Sequence, residues 1–181
     1  SDDLYDTANA WMGHLKGGLA MSTVAASGGF AAVTGNSVAT VVTMAKVALP
    51  SMRRYKYGDS LAAGTIAAGG TLGILIPPSN ALIIYGLLTE TDVGKLFIAG
   101  IIPGIMTIFL YIIVVQAIVT VKPQLGPRGE RSDWKTRIKS LSGVWGVLAL
   151  FFLIMGGISF GVFTPSEAGA VGALGALLFA V

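Results

Sequence analysis

The chain has no cysteine, which excludes disulfides and thiolate metal sites and leaves the compartment open. It has one histidine, and Asp, Glu, Lys and Arg make up only 12% of its 181 residues, about half the ~25% usual in a soluble domain. The charge is missing in blocks. None of these four residue types, and no histidine, falls within residues 17–45, 60–89, 96–121 or 140–166. That absence removes a proton relay through carboxylates or histidines buried in those runs. The sequence also offers no nucleophile–base pair, no metal-ligand cluster and no phosphate-cradling loop, so nothing marks an enzyme or calls for an organic cofactor. His14, alone beside Lys16, reads as a group at a membrane interface rather than a ligand. The opening Ser1-Asp2-Asp3 is acidic, unlike the basic start of a secretory signal.

What is present is apolar: 54% hydrophobic residues and a mean hydropathy of +0.77. Each uncharged run exceeds the ~20 residues a helix needs to cross a bilayer. The pattern predicts an all-α polytopic membrane protein. A sequence pI near 9.3 raises nucleic acid as a partner, but the positive charge is concentrated in two short stretches. Lys46, Arg53, Arg54 and Lys56 stand against Asp59. Lys122, Arg128, Arg131, Lys135, Arg137 and Lys139 stand against Glu130 and Asp133. Basic loops beside apolar spans are topology signals, which places both on the cytoplasmic side and the acidic turn at 90–95 opposite.

In order, residues 1–16 pattern as an interfacial amphipathic helix with Trp11 at headgroup depth. Residues 17–50 form a hairpin or, alternatively, one long tilted helix with a polar kink. Residues 51–59 are a basic loop, 60–89 a discontinuous membrane helix and 96–121 a plain span. Residues 122–139 are a second basic loop, in which Trp134 and the basic residues after it suit a short interfacial helix. Residues 140–163 are another span, and 164–181 open a further helix, with Thr164 as N-cap, Pro165 in its first position and Glu167 at its positive end. The chain opens without a preceding span and stops within apolar residues 168–181, so it reads as a fragment of a larger membrane protein.

Two places break the apolar runs. In residues 60–89 the centre reads Gly69-Gly70-Thr71-Leu72-Gly73-Ile74-Leu75-Ile76-Pro77-Pro78-Ser79-Asn80. Pro77 and Pro78 supply no amide hydrogen, and Pro78 disfavours helical geometry at Pro77. In residues 17–50 the centre is Thr34-Gly35-Asn36-Ser37, a turn-forming sequence with two arms each short for crossing, which favours a re-entrant hairpin. Carbonyls freed in lipid need protein, water or an ion, and broken helices of this kind form the sites of secondary transporters. The chemistry on offer is oxygen, from Thr34, Asn36, Ser37, Thr71, Ser79 and the freed carbonyls. That set suits a hard cation of low charge, while helix N-termini after the breaks suit an anionic solute.

Gly70-Thr71-Leu72-Gly73-Ile74-Leu75-Ile76-Pro77-Pro78-Ser79 resembles the signature of the large membrane subunit of TRAP transporters, the tripartite ATP-independent periplasmic family. The likeness extends through Asp3-Leu4-Tyr5-Asp6, the run Gly28-Gly29-Phe30-Ala31-Ala32-Val33-Thr34-Gly35-Asn36-Ser37, and Pro123-Gln124-Leu125-Gly126-Pro127-Arg128-Gly129 to Thr164-Pro165-Ser166-Glu167. The resemblance implies an elevator-type, sodium-coupled importer in the bacterial inner membrane, carrying an organic acid such as a C4-dicarboxylate, another carboxylate or sialic acid. It implies a small four-helix membrane subunit and a periplasmic solute-binding protein as partners, lipid around the spans, and no nucleic acid. It implies a sodium site at Thr34, Asn36, Gly73, Ile76 and Pro78, largely through backbone carbonyls, with Gly35, Ser37, Gly70, Thr71, Pro77 and Ser79 around it. Members often read Ser-Gly-Ser-Ser where this chain has Thr34-Gly35-Asn36-Ser37, which retains oxygen donors while changing the side chains. The implied fold is a re-entrant helical hairpin plus a broken transmembrane helix, one part of an inverted repeat. The rival readings are a single-component ion-coupled anion transporter with paired hairpins, and a channel or non-transporting scaffold whose glycines only pack helices.

Overall fold

The computed structural model describes residues 2–129, 132–164, 167, 168, 170–172, 174 and 175. Among the described residues seven α-helices follow one another, α1 (Asp2–Met12), α2 (Gly18–Thr34), α3 (Ser37–Arg54), α4 (Asp59–Leu75), α5 (Asn80–Thr89), α6 (Val93–Val121) and α7 (Trp134–Ser159), with a short 3-10 turn (Pro123–Leu125) after α6. No strand occurs among the described residues. Residues 59–89, α6 and most of α7 are each long and apolar enough to cross a membrane. The chain is an all-α polytopic membrane protein.

α2 and α3 form a hairpin, not one kinked helix. Tyr57, just after α3, donates its phenol O–H to the Pro127 carbonyl at 2.8 Å, and its oxygen accepts the Leu19 N–H at the start of α2 at 3.2 Å. Three backbone bonds close the same end: Gly17 N–H to Gly126 O at 2.9 Å, Gly58 N–H to Leu125 O at 3.0 Å, and Gly129 N–H to Gly13 O at 3.0 Å. The start of α2, the end of α3, the start of α4 and the chain after α6 therefore gather at one base. From that base α2 and α4 rise side by side, each 17 residues long, or roughly 25 Å at 1.5 Å per residue.

α3 runs on through Pro50 to Arg54, so the loop expected at 51–59 shrinks to the few residues before Asp59. Pro50 cannot bond the Lys46 carbonyl, but Met44, Ala48 and Met52 repeat at helical spacing and are all fully buried. Their packing outweighs the lost bond. Arg53 and Arg54 thereby occupy the last turn of α3, where cations offset the negative helix end. α7 likewise begins at Trp134, capped by the Asp133 side chain, so the basic residues after it belong to the long helix. α1 lies across α2 and α7. Leu4 and Tyr5 are buried in the shared core, Thr7 Oγ1 donates to Ser140 O at 2.8 Å, and Arg137 Nε donates to Ala10 O at 3.1 Å.

At the opposite end the Asp92 side chain accepts the Lys95 N–H, capping α6. Thr164 and Glu167 bond reciprocally: Thr164 N–H and O–H donate to Glu167 Oε2 at 2.8 and 2.9 Å, and the Glu167 N–H returns to Thr164 Oγ1 at 3.3 Å. These donors, the backbone N–H foremost, hold the Glu167 carboxyl below the usual carboxylate range. That is the reciprocal cap expected at a helix start. Pro165 and Ser166 lie outside the described residues, as do Glu130 and Arg131 of the second basic loop.

Candidate functional site where the hairpin tip meets the broken helix

The hairpin turns in two residues. Gly35 closes α2 in the left-handed region at φ 56°, its N–H bonded to Ala31 O. Asn36 is extended and starts α3, its Oδ1 accepting the N–H groups of Val38 at 2.9 Å and Ala39 at 3.1 Å. The amide side chain is thus occupied as a helix cap, and what Asn36 turns toward α4 is its backbone. α4 ends at Leu75, and Ile76 is extended, its N–H still bonded to Leu72 O at 2.8 Å. Because residues 77 and 78 are prolines joined by a cis peptide, the carbonyls of Gly73 and Ile74 have no amide four residues on. Ser79 Oγ donates to the Ile74 carbonyl at 2.7 Å. α5 then begins at Asn80, with Ser79 as its extended N-cap residue.

The two breaks touch. Asn80 N–H donates to Gly35 O at 3.2 Å. A Cβ added to Gly35 would collide with the Pro78 carbonyl oxygen, and one added to Gly73 would lie 2.6 Å from Asn36 O and 2.8 Å from Ser37 N. Gly70 faces α3 in the same way, against Val41. α4 therefore presents a bare strip of backbone to α3: a side chain at 73 would strike the main chain of Asn36 and Ser37, and one at 70 the Val41 side chain. The hairpin tip reaches the break and stops there.

Four helix termini converge at this crossing: the C-terminal ends of α2 and α4, and the N-terminal ends of α3 and α5. Each terminus carries about half an elementary charge, negative at a C-terminus and positive at an N-terminus. The crossing so brings ends of opposite sign against one another, the start of α5 on the end of α2 and the start of α3 on the last turn of α4, without any charged residue. No cluster of His, Cys, Asp or Glu able to hold a metal occurs among the described residues. The side-chain oxygens follow the same logic. Thr34 Oγ1 lies 3.2 Å from both Phe30 O and Thr40 Oγ1, and Thr40 Oγ1 donates to Asn36 O at 2.8 Å. Two hydroxyl protons serve these three contacts, so Thr34 Oγ1 keeps lone pairs for a further partner. Neutral oxygens of this kind suit a hard cation of single charge, since a divalent ion ordinarily draws carboxylates. Beside the crossing opens a cleft of about 370 Å³, lined by Thr34, Pro78 and Asn80 on one wall and by Phe97, Phe151 and Ile154 on the other.

Of the residues singled out from sequence, Thr34, Gly35, Asn36, Ser37, Gly70, Gly73, Pro78 and Ser79 gather here. Ile76 and Pro77 contribute backbone, since their side chains are buried, Ile76 against Gly28 and Gly104 and Pro77 against Gly100. Thr71 faces elsewhere: its hydroxyl bonds Ala68 O at 2.7 Å and the Tyr111 hydroxyl of α6 at 2.9 Å. Two participants were not singled out. Thr40, fully buried, joins the hydroxyl chain, and Asn80 carries the amide that meets Gly35. Thr40 had a visible signal, since it stands four residues after Asn36, the spacing at which a helical threonine bonds back to a carbonyl.

The sequence matches the family model described as "Tripartite ATP-independent periplasmic transporter, DctM component" over residues 1–181. It is 43% identical over 173 residues to a C4-dicarboxylate TRAP transporter large permease protein of Pseudomonas aeruginosa, covering 94% of this chain and 40% of that protein. An ectoine TRAP transporter large permease protein of Halomonas elongata is 38% identical, with 97% of this chain and 40% of that protein covered. A sialic acid TRAP transporter large permease protein of Vibrio cholerae is 34% identical, with 98% and 41% covered. The chain thus spans about two fifths of the length of these relatives.

Proposed function

Since the chain belongs to the DctM component family of tripartite ATP-independent periplasmic transporters, we propose that the crossing of its two breaks is one half of a coupling-ion site in a sodium-driven importer. The observation that carries this reading is the convergence of four helix termini at Gly35, Gly73 and Pro78, with neutral oxygens and no carboxylate. Sodium is held at Thr34, Asn36, Gly73, Ile76 and Pro78, through the Thr34 hydroxyl and backbone carbonyls. The positive termini of α3 and α5 draw a carboxylate-bearing solute to the same crossing. C4-dicarboxylates, ectoine and sialic acid, the solutes in the names of the relatives, share a carboxylate group, so this half of the site recognises the class and leaves the individual acid to other parts. The full subunit works with a small four-helix membrane subunit and a periplasmic binding protein in the bacterial inner membrane. The hairpin is re-entrant, and it travels with the broken helix as the moving body of an elevator.

The test is uptake by the full-length permease, with its small subunit and binding protein, in proteoliposomes under an imposed sodium gradient. Uptake that proceeds equally with potassium on both sides rejects the coupling. Within that assay, Thr34→Val combined with Thr40→Val is expected to raise the sodium concentration for half-maximal uptake about tenfold, equivalent to ~1.4 kcal/mol of ion binding. A lowered maximal rate at unchanged sodium dependence would move the site away from these hydroxyls.

Orientation rests on charge. Among the described residues, Lys16, Arg53, Arg54, Lys56, Lys122 and Arg128 flank the base beside the acid Asp59, whereas at the opposite end Lys95 stands alone among Glu90, Asp92 and Glu167. The base is therefore cytoplasmic. Single cysteines replacing Arg128 and Thr91 are expected to react with an impermeant maleimide from opposite faces, Thr91 from outside intact cells. Labelling of both from one face rejects this topology.

A further inference from the structure

The base holds a second polar cleft, of about 370 Å³, remote from the crossing and lined by His14, Leu15, Lys16, Gln116, Thr120 and Arg128. It sits where the chain between α1 and α2 passes the last turns of α6, and Gly129 N–H bonded to Gly13 O brings Arg128 over it. Among the described residues, no carboxylate engages Lys16 or Arg128. Arg137 Nη2 lies 3.4 Å from His14 Nδ1. A guanidinium only donates, so Nδ1 is the acceptor and a neutral ring carries its proton on Nε2 as a further donor. The same guanidinium stands 5.9 Å from the Trp11 ring centre and 5.4 Å from that of Trp134, an aromatic pair of the kind that settles at headgroup depth. Below the cleft, Phe109 and Ile113 continue the α6 face of Gln116 toward the membrane centre, 62% and 61% exposed.

We infer that this cleft binds the headgroup of an anionic glycerophospholipid. Lys16 and Arg128 meet the phosphate, while His14, Gln116 and Thr120 supply hydrogen bonds to the glycerol and headgroup oxygens. The acyl chains descend along Phe109 and Ile113. A lipid is favoured over a free anion because the polar lining continues directly into an exposed apolar face, which a soluble phosphate would leave unused. The bound lipid bridges the connection between α1 and α2, the end of α6 and the segment after α6, and so fastens the base from outside the protein. This goes beyond ion coupling, and its test does not depend on transport.

Native mass spectrometry of the full-length permease complex, released from nanodiscs holding equal phosphatidylglycerol and phosphatidylcholine, reads the site directly. Wild type is expected to retain one phosphatidylglycerol at least tenfold more often than phosphatidylcholine, and 10 mM inorganic phosphate should not displace it. Lys16→Gln with Arg128→Gln is expected to weaken that retention roughly 10- to 30-fold, as removal of two cations near an anionic lipid should. Lys16→Arg with Arg128→Lys, which keeps both charges, should restore it. Equal retention of the two lipids by wild type overturns the inference without need of any variant. So does displacement by phosphate alone, which would mark a small-anion site, or undiminished phosphatidylglycerol in the double glutamine variant.

Discussion

Gly35→Ala in the full-length permease is expected to reduce uptake in proteoliposomes about 100-fold, with insertion into the membrane intact. Two independent costs fall on one methyl group. At φ 56° an L-residue pays ~1–2 kcal/mol for left-handed geometry. The added Cβ also overlaps the Pro78 carbonyl oxygen, which is backbone and has no rotamer to yield. Relief requires the hairpin tip to back away from the break, lengthening the Asn80–Gly35 bond and separating the oxygens that face each other there. A shift of about 1 Å in a positioned site costs on the order of 10²-fold in rate. Gly64→Ala is the matched control, because a Cβ there meets nothing within 4 Å, and it should transport as wild type. Equal uptake by both variants would show that contact between the two breaks is not needed for transport.

Tyr57→Phe acts at the other end and on stability. The phenol is a two-way link, accepting from Leu19 N–H and donating to Pro127 O. Leu19 is 1% exposed, so its amide cannot turn to water. A buried polar group left unpaired costs about 1–3 kcal/mol, which falls on the Leu19 amide, while the half-buried Pro127 carbonyl loses its tie to the base. The purified full-length variant is expected to lose several degrees in thermal midpoint and to be cleaved faster by protease between Lys122 and Arg128, because the segment held by Pro127 is released. At permissive temperature its sodium dependence should match wild type, which separates this effect from that of Gly35. An unchanged midpoint would mean that other bonds at the base suffice without the phenol.

These two positions also mark what the sequence does and does not disclose. Gly35-Asn36 and Pro77-Pro78 act through their own covalent geometry: glycine tolerates positive φ, asparagine caps, and proline lacks an amide hydrogen. Both breaks were therefore legible one residue at a time, as were the long apolar helices and the Thr164–Glu167 cap. Tyr57 works through partners 38 and 70 residues away, and nothing local distinguishes it from Tyr55. Pro50 misleads for the same reason. Its local effect is to end a helix, and only the burial of Met44, Ala48 and Met52 carries α3 past it. Thr71 belongs to a signature stretch, yet the register of α4 turns its hydroxyl toward Tyr111 and gives the α3-facing positions to Gly70 and Gly73.

The bonds that close the base have a consequence for how this chain tolerates change. They run between main-chain atoms of Gly17 and Gly126, Gly58 and Leu125, and Gly13 and Gly129, and at Gly126 a Cβ would stand 2.9 Å from the Gly17 Cα. A seam stitched in this way is indifferent to hydropathy and charge and sensitive to bulk. Substitutions along it sort by volume, so a neutral alanine at 126 is a graver lesion than a reversed charge at 122. Constraint on this stretch is written in the size of its residues, where a survey of chemical character alone would overlook it.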